Sequence, residues 1–254
     1  MEAHLSPRLA FQPPILRLRS GQASNIQLPK GATIEDILRA LSDPDLIEIV
    51  ALTLRVTGLA LLISTLIGMP LGALFGLTRF RGKRSVTALL YTGMGLPPVV
   101  VGLFVYVLLS RSGPLGGLGW LFTPSAMIAA QTVIAFPLVT GLTMSAVTAV
   151  DPALRQQVFA LGATRGQIGW TVLGEARIGV TAAIVAAFGG IISEVGAVML
   201  VGGNIAGQTR VLTTAIVLYT RQGDFALAMA LGVILIGLAF VANLLLLRLQ
   251  GRVR

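Results

Sequence analysis

Charged residues interrupt this chain only at long intervals, and those intervals define its elements. Residues 56–78 run for 23 positions without a charge, 85–110 for 26, 112–150 for 39 and 225–247 for 23. An α-helix rises about 1.5 Å per residue, so about 20 apolar residues cross a hydrocarbon core of about 30 Å. The first, second and last runs each predict one crossing, at about 50–78, 85–110 and 225–247. The 39-residue run is too long for one span, and Ser112-Gly113-Pro114-Leu115-Gly116-Gly117 breaks it, which puts the third span at about 125–149. A fourth follows Arg177, at about 178–201, with Glu194 inside it. The expectation is an all-α, polytopic membrane helix bundle of about five transmembrane helices.

Finer patterning marks three further segments. Residues 33–41 predict a short amphipathic helix, with Ile34, Ile37, Leu38 and Leu41 on one face. Residues 1–45 are read as an extracytoplasmic leader containing that helix, and 46–250 as the membrane domain. Between the third and fourth spans, 151–176 predicts two short amphipathic helices. Asp151-Pro152 starts the first, which carries Leu154, Val158 and Leu161, and Gly162 ends it. Thr164-Arg165-Gly166-Gln167 fits a capping box and opens the second, which carries Ile168, Val172 and Leu173. Neither is long enough to be stable alone, so their apolar faces need the protein's own helix ends or a cytosolic partner. Finally, 208–221 reads as a helix with Arg210, Thr213, Thr214 and Arg221 on one polar stripe. Val211, Leu212, Ala215, Leu218 and Tyr219 form its apolar side.

Composition agrees with a membrane chain: 55% of the 254 residues are hydrophobic, 11% are charged, and mean hydropathy is +0.87. Soluble domains carry about 25% charged residues. The net charge of +9 does not imply nucleic acid, because the charges are segregated. After residue 48 there are 14 Lys/Arg against four acids, and ten of the 14 cluster in three places. These are Arg79, Arg81, Lys83 and Arg84; Arg155, Arg165 and Arg177; and Arg248, Arg252 and Arg254. With five spans all three clusters share one side, which the positive-inside rule makes the cytoplasm, with the N-terminus out and the C-terminus in.

Several residues in the spans carry chemistry or packing information. Gly68, Gly72 and Gly76 recur every fourth residue, a spacing that lets helices approach closely in lipid. Leu96-Pro97-Pro98 removes two backbone donors near the middle of the second span, so a kink facing the bundle interior is expected. A lone carboxylate in a span costs about 2.5–3.5 kcal/mol on insertion scales, so Glu194 should face a cavity, a polar partner or the outer boundary. No cysteine is present and His4 is the single histidine, which leaves no metal or thiolate centre. The segment Gly76-Leu77-Thr78-Arg79-Phe80-Arg81-Gly82-Lys83-Arg84 has five residues between its glycines and ends in Arg rather than Ser/Thr. It is a basic turn, not a phosphate loop, so no bound cofactor and no ATP hydrolysis are expected of this chain.

Residues 151–176 resemble the cytoplasmic coupling loop of ABC importer permeases, whose pattern is Glu-Ala-Ala, three residues, Gly, nine residues, Ile-x-Leu-Pro. Gly162 matches its glycine and Ala160-Leu161-Gly162-Ala163-Thr164-Arg165 its core, while the acid and the closing Leu-Pro are absent. Over 46–250 the chain resembles the molybdate/tungstate/sulfate branch of the type I importers. The motifs are Gly68-Met69-Pro70-Leu71-Gly72, Leu96-Pro97-Pro98-Val99-Val100-Val101-Gly102 and the run from Gly202 to Arg210 that contains Asn204. The residues Ile192-Ser193-Glu194-Val195-Gly196-Ala197-Val198-Met199 are most similar to those of tungstate permeases. The resemblance implies a permease homodimer, two ATP-binding cassette ATPase subunits docking on Leu154, Val158 and 160–165, and an extracytoplasmic oxyanion-binding protein. The substrate path is then expected along Pro97, Pro98, Glu194, Asn204, Arg210, Thr213 and Thr214, with tungstate as cargo. The alternatives are molybdate or sulfate, Arg210 and Arg221 snorkelling at the lipid interface, a proton-coupled secondary transporter using Glu194, and a membrane-embedded enzyme.

Overall fold

The computed structural model describes residues 44–251, which are helical apart from turns and short breaks. The leader and the 33–41 helix lie outside the described residues. The order is α1 (Pro44–Leu77), α2 (Lys83–Met94), α3 (Pro98–Leu109), a 3-10 turn (Gly116–Leu118), α4 (Pro124–Thr148), α5 (Pro152–Ala160), α6 (Arg165–Glu175), α7 (Arg177–Ile192), α8 (Gly196–Gly202), α9 (Leu212–Gln222) and α10 (Phe225–Gly251). Among the described residues three helices are long and apolar enough to cross a membrane: Leu46–Leu77, Pro124–Thr148 and Phe225–Leu245. Two bent pairs, α2–α3 and α6–α7, bring the number to five if each is one span.

Two breaks in the helices correct the single spans expected over 85–110 and 178–201. The stretch 85–110 is not one kinked helix, because α2 and α3 are separate and meet at 100° across Gly95-Leu96-Pro97. Pro98 sits in the first turn of α3, where a missing N–H costs nothing, and that turn starts a new helix instead of bending an old one. The stretch 178–201 is also two helices: α7 stops at Ile192, and α8 begins after Ser193-Glu194-Val195. Glu194 therefore lies in a break and not within a helix.

α4 is the hub, and α1 lies along it through the expected glycine stripe. A Cβ on Gly72 would land on the carbonyl of Thr140 and on the side chain of Thr143. One on Gly68 would meet Thr140 Oγ1 at 2.8 Å, and one on Gly76 would meet Val147 Cγ1 at 2.8 Å. Three apolar clusters stack along this axis. Ala73, Val147, Val172 and Val180 pack at the basic end, Ala60, Val139, Ala187 and Ile191 midway, and Val56, Val105, Met127 and Val201 at the opposite end. A fourth, around Ile49, Leu212 and Leu231, joins α1, α9 and α10.

Candidate functional site

At the basic end, α5 and α6 fold as their sequences require. Asp151 Oδ1 accepts from Ala153 N at 2.8 Å, capping α5. Gly162 reverses the chain with φ +84°, a left-handed conformation that glycine enters without a Cβ penalty. Thr164 and Gln167 complete the capping box: Gln167 N donates to Thr164 Oγ1 at 3.4 Å, and Thr164 N donates to Gln167 Oε1 at 2.8 Å.

The apolar residues of the pair divide into two sets. Leu154, Ile168, Val172 and Leu173 pack on the protein's own helix ends. Leu161 is 88% exposed, Phe159 70% and Trp170 74%. The expected common face of Leu154, Val158 and Leu161 is therefore incomplete, since Leu161 lies past the end of α5 and points away. Phe159 and Trp170 were not singled out in the sequence; large apolar side chains in a polar loop were the available signal. Ala160 and Gly162 are also exposed and Ala163 half-buried, so the loop core lies at the surface. Arg155 folds back, its Nη2 donating to the Val147 carbonyl at 2.8 Å near the α4 C-terminus. Lys83 does the same for α1, donating to the Thr78 carbonyl at 3.1 Å.

Deeper in the bundle the two breaks lie side by side. A Cβ on Gly196, just after the α7–α8 break, would meet Val99 Cγ2, just after the α2–α3 break, at 2.5 Å. One turn along, a Cβ on Gly102 would meet Ala197 Cα at 2.5 Å. Within hydrocarbon, non-helical backbone is tolerated only when protein or a wet cavity satisfies it. Here protein does so at the α7–α8 break. Gln131 Nε2 of α4 donates to the Ile191 carbonyl at 3.0 Å, and Thr213 Oγ1 of α9 donates to the Glu194 carbonyl at 3.0 Å. The Glu194 carboxylate accepts from Ala197 N at 2.8 Å and is only 9% exposed. Gln131 was not singled out in the sequence, although an amide in a charge-free span is itself a pointer. At the other break, Leu96, Pro97, Val99 and Val100 are exposed.

The expected polar stripe over 208–221 is not formed. Helix α9 begins at Leu212, so Arg210 precedes it and cannot share its face. Thr213 and Thr214 are buried. The Thr214 hydroxyl accepts from Val211 N and donates to the Val211 carbonyl, both at 3.1 Å. Short side chains able to bond nearby backbone are used here to start the helix. Asn204 takes φ +53° in the preceding loop. Thr209 holds that loop, its Oγ1 donating to the Gly202 carbonyl at 2.6 Å and accepting from Ile205 N at 2.9 Å. Arg210 lines a cavity of about 290 Å³ with Glu48, Leu52 and Gln208. The structure thus apposes Val99, just after Pro97-Pro98, to Gly196, two residues after Glu194, with Thr213 bonded to the Glu194 carbonyl; Asn204 and Arg210 belong to the loop before α9.

A bundle with paired interior breaks and a capped, surface-exposed helix pair at its basic end defines a membrane transport subunit. Residues 68–254 match the family described as "Binding-protein-dependent transport system inner membrane component", and the chain belongs to that family. It is an integral membrane protein, a permease component separate from the ATPase. It is 45% identical over 212 residues to a probable anion ABC transporter permease protein of Haloferax volcanii, covering 82% of this chain and 91% of that one. It is 40% identical over 208 residues to the tungstate uptake system permease protein TupB of Peptoclostridium acidaminophilum, with the same coverage. The molybdenum transport system permease protein ModB of Escherichia coli K12 is 31% identical over 214 residues, covering 81% and 93%. Among solved structures, an inward-facing form of the MetNI methionine ABC transporter superposes with a TM-score of 0.71 at 22% identity, covering 87% of this chain and 100% of that one. A bacterial alginate ABC transporter in complex with an alginate pentasaccharide-bound periplasmic protein gives 0.71 at 20% identity, covering 87% and 83%. At those identities the likeness speaks for the fold, which is that of type I importer permeases.

Proposed function

We propose that this permease carries a tetrahedral oxyanion, tungstate before molybdate, through a homodimer driven by two ATPase subunits and supplied by an extracytoplasmic binding protein. The observation that carries the cargo assignment is the likeness itself, 40% to a tungstate permease against 31% to a molybdenum permease. In the mechanism, α5 and α6 receive the motion of the ATPase on Leu161 and Phe159. The α6–α7 elbow, bent by 68°, passes that motion to the break at Ser193-Glu194-Val195. Val99 and Gly196 are in direct apposition, so moving one break displaces the other and alters the opening beside Pro97. Glu194 and Thr213 act here by holding the break, while Asn204 and Arg210 stand at the outer mouth. The basic end faces the cytoplasm, which puts the C-terminus in.

The test is ATP-dependent uptake into vesicles holding the full importer, with metal content read by mass spectrometry. Tungstate accumulates, molybdate competes more weakly, and excess sulfate does not compete. Failure of both tungstate and molybdate to accumulate overturns the cargo assignment. A single cysteine at position 82 should resist an impermeant thiol reagent in intact cells, and labelling there overturns the orientation.

A further inference from the structure

A further cleft opens at the basic end, between the last turns of α1 and α6. It has two chemically distinct halves that share Leu74, Leu77 and Gly169. One half, about 260 Å³, is walled by Pro70, Leu74, Trp170 and Leu173 and is almost wholly apolar. The other, about 500 Å³, is lined by Arg155, Arg165, Thr78 and Ile168. Arg155 donates through Nη2 to the Val147 carbonyl, yet its Nε is buried without a partner. Among the described residues neither guanidinium is paired with a carboxylate.

We infer that this cleft holds an anionic phospholipid, with its phosphate on Arg155 and Arg165 and its upper acyl chain along the apolar half. Three features select a lipid. The charge is complementary, because two guanidiniums without a carboxylate partner line the polar half, and such groups are forked donors for phosphate oxygens. The apolar half is continuous with the outward face of α1, where Leu66, Ile67 and Leu74 are exposed as lipid-facing residues would be. The junction of the halves lies at the end of an apolar helix beside a tryptophan, the depth at which headgroups sit. Basic pockets between helices at the cytoplasmic surface suit such headgroups. The inference rests on the transport reading only in placing the cleft at the inner leaflet. An occupied cleft would bridge α1 and α6, and so tie the coupling pair to the membrane surface.

The test is binding of phosphatidylglycerol, phosphatidylcholine and inorganic phosphate to the purified full chain in mild detergent, followed by native mass spectrometry. Phosphatidylglycerol binds at one site per chain. The double variant Arg155→Gln/Arg165→Gln weakens it by about thirtyfold, since each basic contact at a membrane surface contributes about a factor of five. Gly169→Phe acts independently of the arginines. A Cβ there would touch only Leu77 Cδ1, at 3.6 Å, so the helix accepts the side chain while the ring fills the apolar half. Arg81→Gln, on the exposed turn outside the cleft, leaves binding unchanged. The inference is overturned if neither the double variant nor Gly169→Phe weakens binding, or if phosphatidylcholine binds equally well. It is also overturned if millimolar phosphate displaces the lipid, which would make this a plain anion site. A photo-crosslinker at Trp170 that captures a second chain and no lipid overturns it too. Binding is read without nucleotide, ATPase or oxyanion, so failure of the uptake test and failure of this one are separate results.

Discussion

Leu161→Ala separates docking from folding with a magnitude that the exposures set. Leu161 is 88% exposed and lies beyond the end of α5, so truncating it removes almost no burial within the permease. Its effect on permease stability should stay within about 0.5 kcal/mol, as for other surface changes. If an ATPase groove encloses this side chain, burying a Leu contributes about 1.5–3 kcal/mol. Truncation to Ala then removes about 2 kcal/mol, or about thirtyfold in affinity at each docking site. Val172 provides the opposite case on the same helix pair. It is fully buried against Ala73, Val147 and Val180, so Val172→Ala should cost about 2 kcal/mol of stability. Two assays on the detergent-solubilised permease read the difference: thermal melting, and titration with the purified ATPase subunit. The expected result is unchanged melting with weakened binding for Leu161→Ala, and lowered melting with retained binding for Val172→Ala. Full ATPase affinity in Leu161→Ala and in Phe159→Ala would refute the docking assignment.

Three further perturbations follow from the geometry. Gly162 has open space where a Cβ would go, so its constraint is φ +84° alone: Gly162→Asn should be tolerated, whereas Gly162→Val, at about 1–2 kcal/mol or more of backbone strain, should uncouple ATP hydrolysis from uptake while the protein stays in the membrane. Gly72→Val must force α1 off α4, so it should cost about 3 kcal/mol and show as lost melting temperature and yield, while Gly58→Ala, which meets nothing within 4 Å, should not. Glu194→Ala removes the acceptor for Ala197 N and should lower stability by about 1 kcal/mol, whereas Glu194→Gln keeps an acceptor and should transport normally; loss of uptake in a fully stable Glu194→Gln protein would show that the charge and not the cap is required.

What the sequence disclosed followed from how local its cause is. The run boundaries, the caps at Asp151 and Thr164, the reversal at Gly162 and the glycine stripe all rest on residues within a turn or two of each other. The long-range arrangement could not be read in this way. Pro97-Pro98 announces a disturbance, but a kink and a 100° break share the same dipeptide. The outcome depends on Val99 finding Gly196, about a hundred residues away. Glu194 was legible as an anomaly because a carboxylate in an apolar run is costly, yet its cap on Ala197 N depended on α7 stopping at Ile192.

The stripe over 208–221 failed for a reason that bears on function. Helical periodicity gave Arg210, Thr213 and Thr214 a common face, and a polar face in a transporter invites a path. Threonine, however, can also bond backbone, and in α9 both hydroxyls do so, Thr214 locally and Thr213 across the bundle. Thr213 reaches across to the Glu194 carbonyl in the α7–α8 break, and Thr53 of α1 accepts from the first amide of α9, both at 3.0 Å. The polar residues that looked like a lining thus work as supports, joining α1, α9 and the break. This suits a subunit that must move. A dianion crossing a low-dielectric span needs compensation only while it passes, whereas the backbone of a broken helix needs it in every state. A fixed buried hydroxyl can meet that permanent demand. Any transient compensation must come from groups other than these, and Pro97 and Val99 stay exposed beside the α2–α3 break.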